Sequence, residues 1–123
     1  MTDDINSNIH KLKQRFKNFC SNRDWDKFHD AKELAIGLSI EAGELLDHFR
    51  FKTRDEVNHK FTIPEKREEI EDELADIFIY VLRIAQMYDI DLTKSFNRKL
   101  EKNDKKYPVE KAKGSSKKYN EFD

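Results

Sequence analysis

The sequence predicts an all-α fold, a bundle of four helices with an irregular basic C-terminal tail. Two observations carry that expectation. Charged residues fill 40% of the 123 positions and hydrophobic ones 37%, while three Gly and two Pro leave few places for the turns that a sheet protein needs. Apolar residues also recur at spacings of three and four in four separate stretches, which marks helices with one buried stripe each.

The first helix is expected from about Asn6 to Asn22, with Ile9, Leu12, Phe16 and Phe19 on one face. Asn22-Arg23-Asp24-Trp25 then breaks the pattern with turn-prone residues. The second begins near Asp30, an N-cap with Glu33 three residues on, and runs to about Phe51. Lys52 to Lys60 reads as a polar connection. Thr62-Ile63-Pro64-Glu65 opens the third helix with a Thr cap and Pro in the first turn. That helix runs to about Tyr88 with Ile70, Leu74, Ile77, Phe78, Val81, Leu82 and Ala85 along it. Asp91 caps a fourth, with Leu92, Phe96 and Leu100 in its stripe, which stops before Pro108. The Lys- and Ser-rich remainder, Val109 to Asp123, is expected to lack regular structure.

One domain over 1–123 follows, with a helical core of about 6–107 and a tail over 108–123. The apolar supply is thin for a domain of this size, which favours subunits that share a core. The single cysteine, Cys20, has no internal partner and suits a reducing compartment. No apolar run approaches the ~20 residues needed to cross a bilayer, and Met1 to Asn8 lacks a signal-peptide pattern. The expected location is the cytoplasm, with no membrane partner.

Net charge is −1, yet the signs are segregated. Glu65 to Asp76 holds seven acids against two bases, whereas Lys94 to Asp123 holds ten bases against five acids. Most of these charges suit solvated faces. An acidic pocket for a cation beside a basic tail for an anion also suits a metal-bound polyphosphate.

Four carboxylates stand out from this background. Leu34, Leu38, Glu41, Leu45 and His48 form one line on the second helix, so Glu41 interrupts an apolar stripe, and Glu44 lies next to it on the helix surface. On the third helix Glu73, Asp76 and Tyr80 run beside the Ile70, Leu74, Ile77 and Val81 stripe. Either pair alone reads as a polar helix edge. Two pairs embedded in apolar runs point instead to a site, because a carboxylate turned toward a core needs its charge compensated. Oxygen-only ligands favour magnesium, with manganese as a substitute, over zinc. Gly43, between the acids of the first pair, suggests close approach by a neighbour or ligand, since Gly inside a helix costs ~1 kcal/mol relative to Ala.

Glu41-x-x-Glu44 followed by Glu73-x-x-Asp76 resembles the metal-binding motif of the MazG-like, all-α nucleoside triphosphate pyrophosphohydrolases. The dCTP pyrophosphatase branch is the most similar part of that superfamily. Arg23-Asp24-Trp25-Asp26-Lys27-Phe28-His29, Glu41-Ala42-Gly43-Glu44-Leu45, Glu73-Leu74-Ala75-Asp76-Ile77-Phe78-Ile79-Tyr80 and Lys99-x-x-x-Asn103-x-x-Lys106-Tyr107-Pro108 carry the likeness, in order. Gly114-Ser115-Ser116-Lys117-Lys118-Tyr119 extends it. The resemblance implies a four-helix bundle of that superfamily's type. It also implies hydrolysis of a nucleoside triphosphate, dCTP first, to the monophosphate and pyrophosphate, with magnesium on Glu41, Glu44, Glu73 and Asp76. Trp25 would stack on the base, while Tyr80, Lys99, Asn103, Lys106 and Tyr107 would contact sugar and phosphates. Homodimers or homotetramers with sites at subunit interfaces are implied as well. Phe51 stands where the dCTP-preferring animal enzymes carry a base-contacting Trp, and Phe16 where they carry a His, so polar readout of the base is reduced.

Other residues have plainer readings. Trp25 also suits a hydrophobic lid over helix ends. His48 fits a helix edge, Cys20 a packing position, and His29 the first turn of its helix. Two other functions compete with hydrolysis. A di-iron or di-manganese four-helix protein would need Glu-x-x-His on two helices, and the carboxylate helices here end their motifs in Glu44 and Asp76 instead. A non-catalytic module binding a nucleotide or partner through the basic tail would not need two carboxylate pairs. The tail also lacks the interleaved aromatics of a single-strand platform, so no stable nucleic-acid partner is expected.

Overall fold

A computed structural model describes residues 2–123; Met1, the first position of the expected domain, lies outside them. The described residues are helical, with no strand among them. Helix α1 (Ile9–Asn22) begins where the Asn8 side chain accepts the Lys11 N–H at 2.9 Å. It starts three residues later than the apolar pattern suggests. The Asp3 carboxylate accepts the N–H groups of Ile5 and Asn6 and holds that stretch in a turn. Helix α2 (Ala31–Asp47) begins at Asp30 as expected, with the carboxylate accepting the Glu33 N–H at 2.8 Å. It ends at Asp47 rather than near Phe51. The N–H groups of His48 and Phe49 bond three residues back, and Phe51 adopts the left-handed φ of 63°.

The expected connection over Lys52–Lys60 contains a further helix, α3 (Arg54–Lys60). Thr53 and Glu56 cap it reciprocally: the Glu56 N–H donates to Thr53 Oγ1 at 3.2 Å and the Thr53 N–H to Glu56 Oε1. Glu56 and His59 form a Glu-x-x-His spacing, but both are exposed and Glu56 serves this cap. Helix α4 (Pro64–Met87), at 24 residues, is capped by Ile63 without a side-chain bond. Thr62, the expected cap, donates its hydroxyl to the His59 carbonyl at 2.6 Å and so closes α3 instead.

Up to Ile90 the chain forms one compact unit, in which α4 packs against both α1 and α2. Its buried apolar residues are Cys20, Leu34, Ile70, Leu82 and Ala85. One end of the α2–α4 pairing is tied down, since the Ala31 N–H at the start of α2 donates to the hydroxyl of Tyr88, which closes α4, at 2.8 Å. Leu74, expected in the buried stripe, is 51% exposed and lines a groove with Ile9, Leu12, Ala75 and Phe78. The stripe rule selects a face correctly, but the unit has too few helices to cover all of it.

The second unit, Asp91–Asp123, holds α5 (Leu92–Lys106), capped by Asp91 through the Lys94 N–H, and the one-turn α6 (Val109–Ala112). Phe96 and Leu100, the expected stripe of α5, are exposed. The tail is more ordered than its composition suggests. Tyr107 meets the ring edges of Tyr119 and Phe122, with centroids 6.1 and 5.8 Å away, and Tyr119–Glu121 forms a 3-10 turn.

With so few fully buried side chains, each carries a large share of the first unit's stability. Ile70→Ala is expected to lower the unfolding free energy by about 2–5 kcal/mol, the range for a buried aliphatic truncation that leaves a cavity. Urea denaturation of the variant beside the native chain measures it.

Candidate active site

Helical periodicity turns Glu41 toward α4 and Glu73 with Asp76 toward α2, so the packing of the two helices brings acids together. One carboxylate oxygen from each of Glu41, Glu73 and Asp76 lies within 4.8 Å of the other two. Glu44 is exposed and outside this triad, yet its carboxylate comes near enough to act on Glu41. The Glu41 carboxyl is pushed up to about 7 from its ordinary 4.5, first by loss of solvent, then by the close approach of Glu44 and Glu73, and by the charges of Glu44 and Asp76. All four sequence-predicted acids therefore share one electrostatic environment.

Two atoms define what that environment lacks. Glu41 Oε2 and Glu73 Oε2 are buried and have no hydrogen-bond partner. A buried acceptor left unpaired costs about 1–3 kcal/mol, and more when ionised. A hard cation satisfies both oxygens and cancels the repulsion that raises the Glu41 pKa, so the donor set fits a divalent metal.

Tyr80 lies one helical turn beyond Asp76. Its phenol pKa is raised by burial and then by the charges of Glu41 and Asp76, which keeps the hydroxyl protonated beside the acids. Its position depends on Gly37. A Cβ there would lie 2.5 Å from Tyr80 Cε1 and 2.8 Å from its hydroxyl oxygen. A neighbouring side chain thus crowds Gly37, whereas a Cβ on Gly43 would meet nothing within 4 Å, which leaves room for a ligand and not for a packed neighbour. Glycine signals missing volume; which glycine faces the neighbouring helix depends on helix rotation.

The remaining candidates have neighbours of their own. Trp25 is 41% exposed and meets Phe19 edge-on at 5.7 Å, in keeping with a lid over helix ends. Phe51 is 92% exposed, with the Arg50 guanidinium 4.7 Å from its ring centroid. Lys99, Asn103, Lys106 and Tyr107 belong to the second unit. There Asn103 and Tyr107 line an open cavity of about 860 Å³, and the Lys106 ammonium stands 4.8 Å over the Tyr119 ring. Two residues escaped the sequence reading, Gly37 and Arg83, and Asp26 entered it only as part of the Arg23–His29 motif. Arg83 had a signal, being a charge within the apolar run Val81-Leu82-Arg83-Ile84-Ala85.

Known proteins resemble both scaffold and site. The MazG-like family model matches residues 36–122, a span that includes all four acids. The dCTP pyrophosphatase 1 of Homo sapiens is 32% identical over 114 residues, 93% of this chain and 67% of that protein. Its Bos taurus counterpart is 31% identical over 93% of this chain and 68% of its own length. The crystal structure of a pyrophosphatase from Archaeoglobus fulgidus matches with a TM-score of 0.71 and 36% identity, over 81% of this chain and 92% of that one. Fold, carboxylate cluster and relatives together define an enzyme of the nucleotide pyrophosphohydrolase class. The chain belongs to the MazG-like family.

Two measurements test this geometry. Because the folded chain holds the Glu41 proton between its ordinary 4.5 and about 7, this group's contribution to stability is full below 4.5 and is lost as pH rises through 7. In EDTA, the melting temperature of Glu41→Gln is expected to rise relative to the native chain across that window, and magnesium is expected to narrow the gap. Gly37→Ala is expected to destabilise the native chain by collision with Tyr80. In a Tyr80→Ala background the same change removes no contact, and it is expected to stabilise by up to ~1 kcal/mol through helix propensity. Thermal melts of the four chains decide it.

Proposed function

We propose that this protein hydrolyses a nucleoside triphosphate, with dCTP as the preferred candidate, to the monophosphate and pyrophosphate in the cytoplasm. Magnesium, or manganese in its place, would be held by Glu41, Glu44, Glu73 and Asp76. The observation that carries this reading is the acid triad with its two unpaired buried oxygens. Divalent metal there supplies Lewis acidity and offsets the charge of a triphosphate that bare carboxylates would repel.

The chain's own groups supply the rest. Glu44, the exposed member of the four, would take a proton at its carboxylate from the water that attacks phosphorus so far as it is not fully used as a ligand. The Tyr80 hydroxyl, kept protonated, donates a hydrogen bond toward substrate oxygen. On the family resemblance alone, Lys99, Lys106 and Asn103 would favour the charge that develops on the departing pyrophosphate, with Tyr107 in support. Trp25 and Phe51 offer aromatic faces to the base. With Phe51 and Phe16 replacing hydrogen-bonding side chains of the animal enzymes, base selectivity rests on shape and stacking.

Assembly as a homodimer or homotetramer completes the reading. Ile40, Leu46, Leu74 and Phe51 are each more than half exposed. A bulky residue at φ 63° with its ring in solvent suits a side chain delivered to another copy. No helix among the described residues is long and apolar enough to cross a membrane.

Incubation with magnesium and a panel of ribo- and deoxynucleoside triphosphates tests the reaction. Monophosphate with pyrophosphate is the expected product pair; diphosphate with orthophosphate contradicts it. Glu41→Ala and Asp76→Ala are each expected to reduce kcat by at least about 100-fold, given the several kcal/mol that a catalytic metal contributes, with far-UV circular dichroism unchanged.

A further inference from the structure

Arg83 is the buried charge of the described residues, at 3% exposure. It lies on α4, two turns past Asp76 and on none of the carboxylate positions. A guanidinium cannot shed its proton, so its burial requires acceptors for its N–H groups. The structure supplies three. Nε donates to His29 Nδ1 at 3.0 Å, one terminal nitrogen to Gln86 Oε1 at 2.6 Å, and the other to Asp26 Oδ1 in a salt bridge. Asp26 in turn accepts from the Ser21 hydroxyl at 3.2 Å.

Of these acceptors, Asp26 opens the 3-10 turn Asp26–Phe28 between α1 and α2, and His29 closes it. Accepting at Nδ1 leaves the His29 proton on Nε2, and burial with the Arg83 charge lowers its pKa and keeps it neutral. Trp25 immediately precedes Asp26. Its N–H donates to the Cys20 carbonyl at 3.0 Å, its carbonyl accepts the Phe28 N–H at 2.9 Å, and its ring rests on the edge of Phe19. The peptide carrying the indole is thus held by α1 on one side and, through Asp26, by α4 on the other.

The geometry points to Arg83 as a positioning residue for the nucleobase, which orients Trp25 by holding Asp26 and His29 and never touches substrate itself. The inference rests on the base-contact role proposed for Trp25. An aromatic face is useful in recognition when its orientation is settled before binding, because ordering a free side chain on binding subtracts from affinity. The same α4 helix then carries Asp76 and the anchor of the indole, which fixes the metal and base ends on one rigid element.

Trp25 is the only tryptophan in the chain, so its fluorescence reports on the clamp without reference to activity. The test compares the full-length native chain with Asp26→Ala, Asp26→Asn, Arg83→Met and Trp25→Ala, using magnesium and the triphosphate turned over best. Asp26 is 56% exposed, so its variants are expected to fold even where Arg83→Met does not. In Asp26→Ala, acrylamide quenching of Trp25 is expected to rise and anisotropy to fall, with KM up about three- to tenfold and kcat within about twofold, the split that lost ground-state positioning produces. Asp26→Asn, which keeps an acceptor for the guanidinium, is expected to restore most of both signals. Native quenching and KM in Asp26→Ala, beside a raised KM in Trp25→Ala, overturn the role of Arg83 alone. An unchanged KM in Trp25→Ala overturns the assignment of Trp25 as the base contact.

Discussion

Like-charge repulsion across the α2–α4 seam is the constraint around which this protein is organised. Glu41 occupies a position in line with Leu34, Leu38 and Leu45, where a leucine would pack, and faces Glu73 and Asp76 from the neighbouring helix. Without a cation, lost solvation and then repulsion push one of these groups toward neutrality, in keeping with the raised Glu41 pKa. The helices stay together because Leu34, Ile70, Leu82 and Ala85 bury elsewhere in the unit and because Tyr88 fastens the start of α2. Adhesion and repulsion are thereby separated along the helices.

Local devices make that separation workable. Gly37 removes the one Cβ that would collide with Tyr80, so a phenol can stand next to the acids without forcing the helices apart. Arg83 compensates its own buried charge through Asp26, His29 and Gln86, none of which belongs to the acidic cluster. Two buried charged systems therefore share α4 while drawing on different partners.

The fold was largely legible because capping and periodicity are local. Asn8 lay inside the expected first helix but acts as its cap, whereas Asp30 and Asp91 cap where their spacing to the next N–H indicates. Helix α3 was legible too in Thr53-x-x-Glu56, but its seven residues lack an apolar stripe and read as a connection. The acids were legible because a charge within an apolar run is costly wherever the run packs. The same reasoning applied to Arg83 would have found the second buried charge. What sequence could not supply was rotation and coverage. It marked Gly43 where the neighbour meets Gly37, and it assigned Leu74 to a core that the described unit does not close.

The placement of Glu41 also bears on how this chain tolerates change. Under the proposed function, folding and catalysis make opposite demands at that position. A leucine there would continue the stripe and remove both an unpaired oxygen and a source of repulsion. Selection for robustness alone would therefore erode the acidic cluster, and stabilising substitutions recovered without an activity screen should concentrate at the seam. An ion that bound only the assembled seam, as the proposed function requires, would make metal supply a folding variable for the unit up to Ile90, because it would favour every contact that holds the seam together.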